Sequence, residues 1–537
     1  MLRLRGLMPD SSPRLARSAG VFGLATITSR ILGLVRDQVL SYYFGAGTTA
    51  DAFRVAGRIP NLVRDLFAEG AMSAAFVPTF TRQLTLHGRE RAWTLANSVI
   101  NALILVTGVL VLAGIVFAEP LVRTFAPQFG TVPGQVEVTV HLTRIMLPFL
   151  TLAALAAALM GMLNSLGHFF VPALSPAMFN VAVIAISVVF IPLAPRLGLA
   201  PITVVAIATL VGGIGQLVIQ WPPLRKEGFH YRPTIDWRDE GLHRVLLLMG
   251  PGTIGMATTQ INVFVNTMLA TSAGTGAVTY LDLAFRLMYL PIGLFGVSIA
   301  AASTPAVSRL VAEGNVDRIR STLAGAITLM LLLNVPATLG LIVLAQPIVA
   351  VIFERGRFTA ADTMATAAAL QFYALGLVGY SVVRIVSPTF YSLHKSRIPV
   401  MVSMASVVVN VALNWWLVGI LGFRGLALGT SITALLNASV QLWLMRRELN
   451  GIDGDRIVGS LVRIAVATAA MAVAAWGANA LLMMWLPGSA LVVQVSRLTL
   501  SIGAAVLTLA LAAQLLRIPE FGEARDLMLG RFRRMVK

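Results

Sequence analysis

Cysteine is absent from this 537-residue chain, which removes disulfides, thiolate metal sites and thiol nucleophiles from consideration. Charge is scarce: 12% of residues are charged and 57% are hydrophobic, against about 25% charged in an ordinary soluble domain. Lysine is scarcer still, occurring only at Lys226, Lys395 and Lys537. None of these follows a Gly-x-x-x-x-Gly run, so the chain has no Walker A phosphate loop, and any driving force must come from an ion gradient, the membrane potential or the substrate's own gradient. The six histidines lack the His-x-x-x-His spacing of a metal site. His141 and His168 fall at the ends of apolar runs, where an interfacial polar role is expected. No serine-centred nucleophile elbow occurs, so neither an enzyme nor a cofactor or metal centre is expected.

What is present is apolar sequence, almost end to end. A bilayer-crossing helix needs about 20 apolar residues, and such runs lie roughly at 18 to 44, 51 to 81, 93 to 117, 138 to 163, 169 to 195, 199 to 221, 245 to 270, 277 to 308, 321 to 345, 363 to 391, 398 to 419, 425 to 445, 464 to 485 and 490 to 516. The short alternating segments of a β-barrel are missing. The expected fold is therefore an all-α polytopic membrane protein with about fourteen spans. The basic first stretch contains Arg30, Arg36 and Asp37 and continues into further spans, so it reads as a retained helix and not a cleaved signal.

The formal charge is +18, but the basic residues sit in short connectors, which reads as topology and not as nucleic-acid binding. Connectors on the side of the termini carry about 27 Lys and Arg, among them Arg89, Arg232, Arg318 and Arg456, against about 5 on the other side, Arg123, Arg196, Arg355, Arg357 and Arg424. Both termini are thus expected in the cytoplasm. The longest connector, Pro222 to Arg244, either lies along the anionic inner surface or is a solvated loop.

Sliding the chain along itself by 227 positions pairs Pro78 with Pro305, Arg82 with Arg309, Pro120 with Pro347, Ser165-Leu166 with Ser392-Leu393, Pro172 with Pro399 and Gly198-Leu199-Ala200 with Gly425-Leu426-Ala427. Each repeat holds an even number of spans, six, so the two are parallel and related by an axis along the membrane normal. Two bundles that rock about a site between them make a transporter, and the repeat favours that over a channel. The last two spans fall outside it.

Ionisable residues inside spans are costly and usually functional. Spans 1 and 2 carry Arg30, Arg36, Asp37, Asp51, Arg54, Arg58, Arg64, Asp65 and Glu69, and later spans add Arg144, Asp282, Arg286 and Arg384. Asp282 and Arg286 are four apart and can pair. The arginines of the first half either neutralise neighbouring carboxylates or line a cavity for an anion, which their planar forks suit.

The runs Ser29-Arg30-Ile31-Leu32-Gly33-Leu34-Val35-Arg36-Asp37, Phe44-Gly45-Ala46-Gly47, Asp51-Ala52-Phe53, Pro60-Asn61-Leu62-Val63-Arg64 and Phe67-Ala68-Glu69-Gly70-Ala71 resemble the N-terminal signature of the MurJ (MviN) lipid II flippases. Phe285-Arg286-Leu287-Met288, Phe353 to Thr359 and Phe390-Tyr391-Ser392 extend the resemblance over essentially the whole chain. It implies a place in the MATE-like multidrug/oligosaccharidyl-lipid/polysaccharide exporter superfamily. It implies transfer of lipid II, an undecaprenyl pyrophosphate bearing a disaccharide-pentapeptide, from the inner to the outer leaflet by alternating access for peptidoglycan synthesis. By the same resemblance Arg30, Arg36, Arg64 and Arg286 form a cationic substrate cavity, with Ser29, Asp37, Asp51, Glu69 and Asp282 as its polar and acidic members. The partners implied are lipid II, membrane lipids and, as candidates, peptidoglycan-synthesis proteins, with function as a monomer in the cytoplasmic membrane.

The implied organisation is a cytoplasmic segment 1–17, an N-lobe 18–221, a cytoplasmic connector 222–244, a C-lobe 245–445, a connector 446–463, a lipid-tail groove 464–516 and a basic tail 517–537. Two departures stand out. Some members place an aspartate just before the arginine of span 8, where this chain has Phe285. Some hold sodium with carboxylates in spans 7 and 11, where this chain has the amides Asn262, Asn410 and Asn414, with Thr430 in span 12, so a core hydrogen-bond network is expected over a cation site. A MATE-type drug exporter would want unpaired carboxylates; a flippase for another polyprenyl-pyrophosphate saccharide would need the same phosphate chemistry; a non-transporting scaffold would need neither.

Overall fold

The computed structural model describes residues 13–66 and 75–522, and among these the regular structure is helical with no strand. That is the response of an apolar chain to a solvent without hydrogen-bonding partners, because a helix satisfies its own backbone. The first repeat runs α1 (Pro13–Phe44), α2 (Thr48–Arg64), α3 (Val77–Val116), α4 (Ala118–Phe125), α5 (Gln135–Met146), α6 (Phe149–Ser165), α7 (Phe170–Phe190) and α8 (Pro201–Lys226). The second runs α9 (Glu240–Ser272), α10 (Ala277–Pro291), α11 (Val297–Ala312), α12 (Val316–Val343), α13 (Ala345–Phe353), α14 (Ala360–Ala374), α15 (Leu377–Ser392), α16 (Arg397–Leu421) and α17 (Phe423–Glu448). Two further helices follow, α18 (Gly454–Trp485) and α19 (Leu491–Leu515).

The 227-residue offset reappears in these boundaries, down to the breaks. Gly88 interrupts α3 with a φ of 80°, and within one residue of the matching place in the second repeat α11 and α12 are separated at Gly314, φ 69°. Pro148, unable to donate, separates α5 from α6, while α14 and α15 bend by 40° at the equivalent point. Hydrogen bonds recur as well. Thr81 Oγ1 donates to Ser165 Oγ at 3.0 Å, and the hydroxyls of Ser308 and Ser392 meet at 2.8 Å. Arg144 Nε reaches the carbonyl of Ile115, as Gln371 Nε2 reaches that of Ile342. Side chains of different chemistry thus fill the same structural slots, which a chance alignment would not produce.

Ten helical segments are long and apolar enough to cross a membrane among the described residues, or eleven if the bent pair α14–α15 is one span. The expected count of fourteen is not reached on that criterion. The runs beyond those eleven are 18 to 44 and 245 to 270, which coincide with α1 and α9, and 51 to 81, which takes in α2 and the start of α3 with 67–74 between them outside the described residues. Of these α2 is only 17 residues long and carries Asp51, Arg54, Arg58 and Arg64, so charge and not apolarity marks it.

The chain divides into two compact units. One extends to Thr279 and includes Arg355–Phe358; the other comprises Tyr280–Glu354 and the chain from Thr359. The helix α9 groups with the first unit, so the boundary between units falls about one helix later than the boundary between repeats. In the first unit the core gathers Phe76, Phe80, Leu95, Leu159 and Met162 against the connector residue Phe229. The connector itself is strapped along α3: Asn97 Oδ1 accepts the Arg232 N–H at 2.9 Å, Asn101 Nδ2 donates to the carbonyls of Arg232 and Thr234, and Ser98 Oγ accepts from Asp236. Glu227 anchors its start, taking a bond from His168 Nε2 at 2.8 Å and an ion pair with Arg89 at 2.9 Å. The His168 bond, and then the Arg89 charge, hold the Glu227 carboxyl below its usual range.

In the second unit the core is built by Leu323, Ile327, Met330, Val386 and Phe390 with Ile464 of α18. Between lipid-solvated helices apolar burial supplies little net drive, and close packing takes its place. On α15 a Cβ at Gly379 would sit 2.6 Å from the backbone of Ala434 on α17. Gly379→Leu should therefore push these helices apart at a cost of about 1–3 kcal/mol and lower the thermal unfolding midpoint of the detergent-purified protein. Gly108→Leu, at a helix surface with nothing within 4 Å, should leave it unchanged; equal effects would show that the α15–α17 contact is not close-packed.

Candidate substrate site

The ionisable residues of α1 are seated by α7. Arg36 donates from Nε and Nη2 to Asp37 Oδ1, at 3.2 and 2.9 Å, and from Nη1 to Asn180 Oδ1 at 3.1 Å. The Asn180 amide in turn donates from Nδ2 to the carbonyl of Ser29, also at 3.1 Å. One amide on α7 thereby fixes both a turn of α1 and the fork that projects from it. Phe179, next along α7, lies under the guanidinium at 5.9 Å from the ring centre. Asp37 is buried, and the Arg36 side chain keeps 16% of its surface exposed. Ser29 and Arg30 are half-buried one to two turns earlier on α1.

Arg64 ends α2 and bonds Asp65 Oδ1 through Nε at 3.0 Å and Nη2 at 2.7 Å. About a third of its side chain stays accessible, at 32%. Gln260 of α9 extends toward the other carboxylate oxygen of Asp65, at 3.5 Å. Asp51 is 1% exposed. It accepts the N–H of Gly276 at 2.6 Å and the N–H and hydroxyl of Thr279 at 2.9 and 2.7 Å. Those groups open α10, so Asp51 serves as a carboxylate cap from another helix, a charge-assisted arrangement favoured by the helix dipole. Glu69 lies outside the described residues.

In the second unit Arg286 Nε donates to Asp282 Oδ2 at 3.1 Å, with 42% of the arginine side chain exposed and 15% of the aspartate. Phe285 is surrounded by rings: Tyr289 at 5.8 Å, Tyr373 at 5.4 Å and Tyr380 at 6.3 Å between centroids. Arg384 bonds the Tyr289 hydroxyl and lies 5.4 Å from that ring's centre.

The four residues considered for a cation site are divided between the two units. Asn262, in the first unit, accepts from Asn266 at 3.3 Å. In the second, Asn414 Nδ2 donates to Asn410 Oδ1 at 3.1 Å, and Asn410 Nδ2 to Thr433 Oγ1 at 3.3 Å. Thr430 spends its hydroxyl on its own helix, at Leu426. Among the described residues no three His, Asp or Glu side chains converge as a metal-binding group. Sequence reading missed Asn180, Gln260, Thr279 and Thr433. For Asn180 and Gln260 a signal existed, since each is an amide within an apolar helix; for Thr279 and Thr433, common in such helices, there was none.

Residues 40–496 match the family described as Lipid II flippase MurJ. A probable lipid II flippase MurJ of Bdellovibrio bacteriovorus is 35% identical over 473 residues, covering 87% of this chain and 89% of that protein. The chain belongs to the lipid II flippase MurJ family. The lipid II flippase MurJ of Burkholderia cenocepacia is 34% identical over 427 residues, covering 79% and 82% of the two chains. Among solved structures, a lipid II flippase MurJ in an inward closed conformation superposes with a TM-score of 0.76 at 25% identity, covering 92% of this chain and 99% of that one. A multidrug resistance MATE family transporter, inward-facing, shares the fold at a TM-score of 0.65 and 20% identity, covering 80% and 99%. The family therefore places α1, α2 and α7 in a transporter scaffold, and the seating of Arg36 by Asn180 becomes testable as part of it. Asn180→Leu removes the partner of Arg36 Nη1 and of the Ser29 carbonyl. The variant should lose about 1–3 kcal/mol, read as a lower unfolding midpoint; an unchanged midpoint would show that Asn180 does not fasten α1.

Proposed function

We propose that this protein flips lipid II from the inner to the outer leaflet of the cytoplasmic membrane, supplying peptidoglycan synthesis by alternating access and acting as a monomer. Family membership over residues 40–496 carries the reading. The chemistry supports it. A pyrophosphate in bare hydrocarbon is very costly, and fixed guanidinium forks replace its water. Arg30, Arg36, Arg64 and Arg286 are the residues proposed to do so, with Ser29, Asp37, Glu69 and Asp282 as the polar and acidic members beside them, while Asp51 is committed to the start of α10. The last three arginines each have a carboxylate beside them in sequence or one turn away, so an incoming phosphate exchanges with a resident anion and the cavity need not hold naked charge between cycles. The polyprenyl tail is already soluble in lipid. α18 and α19, the proposed tail groove, expose Val473, Trp476, Met484, Leu507 and Leu511, a surface that suits it.

The two lobes of the mechanism are taken as 18–221 and 245–445, with both termini in the cytoplasm. The bonded amides Asn410 and Asn414 support a core network at the position where a cation site was weighed. Complementation of a strain depleted of its own lipid II flippase tests the function: growth supports it, and failure at normal membrane levels contradicts it. Orientation is tested separately, because the absence of cysteine makes single-cysteine labelling clean. Arg232→Cys should resist an impermeant external thiol reagent in intact cells, and labelling there would reverse the topology.

Arg286 separates a binding from a structural role. If its fork holds pyrophosphate, Arg286→Lys should be impaired in complementation although charge is kept. The double variant Asp282→Asn with Arg286→Gln should fail like Arg286→Gln alone. Rescue in the double variant would assign Arg286 to neutralising Asp282.

A further inference from the structure

The arginines within the helices differ in what answers their charge. Arg36, Arg64 and Arg286 each meet a carboxylate, at 2.9, 2.7 and 3.1 Å. Arg384 does not. It lies a little over two turns inside α15, which ends at Ser392, and α15 belongs to the bent pair that is apolar enough to form a span. Its Nη2 donates to the Tyr289 hydroxyl, and its guanidinium carbon stands 5.4 Å from the centre of that ring. Among the described residues no carboxylate pairs with it. A phenol accepts a hydrogen bond without supplying a counter-charge, so this arginine brings a partner with it but remains a net cation. Such a charge is costly in a span and marks a functional position.

The partner is itself held rigidly. Tyr289 stacks on Phe285 with 29° between the rings, and Tyr373 and Tyr380 meet Phe285 edge to face at 75° and 83°. Side chains from α10, α14 and α15 thereby fix where the Tyr289 hydroxyl lies and, through it, the guanidinium. The apolar rings lower the local dielectric, which strengthens the pull of Arg384 on any anion that reaches it. Of the guanidinium nitrogens only Nη2 is engaged, so Nε and Nη1 keep their donors. Tyr289 follows Arg286 by three residues, which puts both on one side of α10 within a turn of each other. All of these residues belong to the second unit. One strip of α10 is thus served by two guanidinium forks, the first with a resident carboxylate and the second with none.

We propose that Arg384, positioned by Tyr289, is a second oxyanion-binding residue of the substrate site, taking a phosphate or carboxylate of the headgroup beside the group held by Arg286; this rests on the flippase reading. A pyrophosphate offers two phosphates and a pentapeptide adds carboxylates, so such a headgroup presents more than one oxyanion to neighbouring forks. A planar fork suits either kind.

The test uses the purified full chain in detergent. It reads the unfolding midpoint without ligand, the rise in midpoint given by sodium pyrophosphate and by sodium citrate over sodium chloride of equal ionic strength, and the Kd for lipid II and for a polyprenyl pyrophosphate without saccharide. Arg384→Gln strands no acid, so its unliganded midpoint should stay level or rise, whereas Arg36→Gln, which takes the paired charge from the buried Asp37, should lower it. Arg384→Gln should bind lipid II roughly tenfold more weakly, the worth of a charge-assisted hydrogen bond. Arg384→Lys, with charge but no fork, should fall between. Tyr289→Phe keeps the ring and removes the hydroxyl, and should weaken binding by less than Arg384→Gln at an unchanged midpoint. An equal loss for the polyprenyl pyrophosphate assigns Arg384 to a phosphate; a loss for lipid II alone assigns it to a carboxylate of the peptide. Parental affinity for lipid II in Arg384→Gln overturns the proposal, and so does a fall in its unliganded midpoint, which would make Arg384 a structural residue. If the parent chain binds neither lipid, the flippase reading fails, and the oxyanion site is then decided by whether Arg384→Gln loses the rise given by pyrophosphate or citrate.

Discussion

A charge placed in hydrocarbon must bring its partners with it, and the polar architecture of this protein follows from that constraint. Arg36 has Asp37 and Asn180, Arg64 has Asp65, and Arg286 has Asp282. Asp51, the acid of α2, accepts its hydrogen bonds from the N-terminus of α10. These pairings are short-range, between residues adjacent in sequence or one turn apart, so they assemble with the helix itself. What long-range bonds add is position. Asn180 decides where the Arg36 fork points, and it does so from a different helix.

The same constraint explains how one protein can both insert in a membrane and handle a pyrophosphate. Near-neutral pairs cost less to bury than isolated arginines, and in the proposed function each pair would offer its donors to a stronger anion. The tail of lipid II needs no such provision, and the helices outside the repeat, α18 and α19, are correspondingly apolar on their exposed faces. Duplication supplies the rest of the scaffold: two sets of helices with breaks at matching positions, and hydroxyl pairs Thr81–Ser165 and Ser308–Ser392 in matching slots.

Much of this was legible before any coordinates. The offset of 227 residues, read from scattered Pro, Gly and Ser matches, carries over to helix ends and to individual hydrogen bonds because those residue types set breaks and turns. The pairing of Asp282 with Arg286 was legible from helical spacing. Two things were not. The destination of Asp51 depends on backbone N–H groups 225 and 228 residues away, and main-chain donors have no signature in a sequence. The closeness of Gly45 to Arg357 was equally hidden, since an approach of main chain to main chain between distant segments leaves no pattern in residue types. In the expected span at 51 to 81, α2 carries Asp51, Arg54, Arg58 and Arg64, so charge marks its described part more than apolar length does, while 67–74 lie outside the described residues.

The most direct measurement is transfer of labelled lipid II across the bilayer of liposomes containing the purified protein. The parent chain should move the headgroup to the opposite leaflet, and single Arg30→Ala, Arg36→Ala and Arg64→Ala variants that remain folded should each move it more slowly. Transfer at the parental rate in all three would contradict a cationic site for the pyrophosphate.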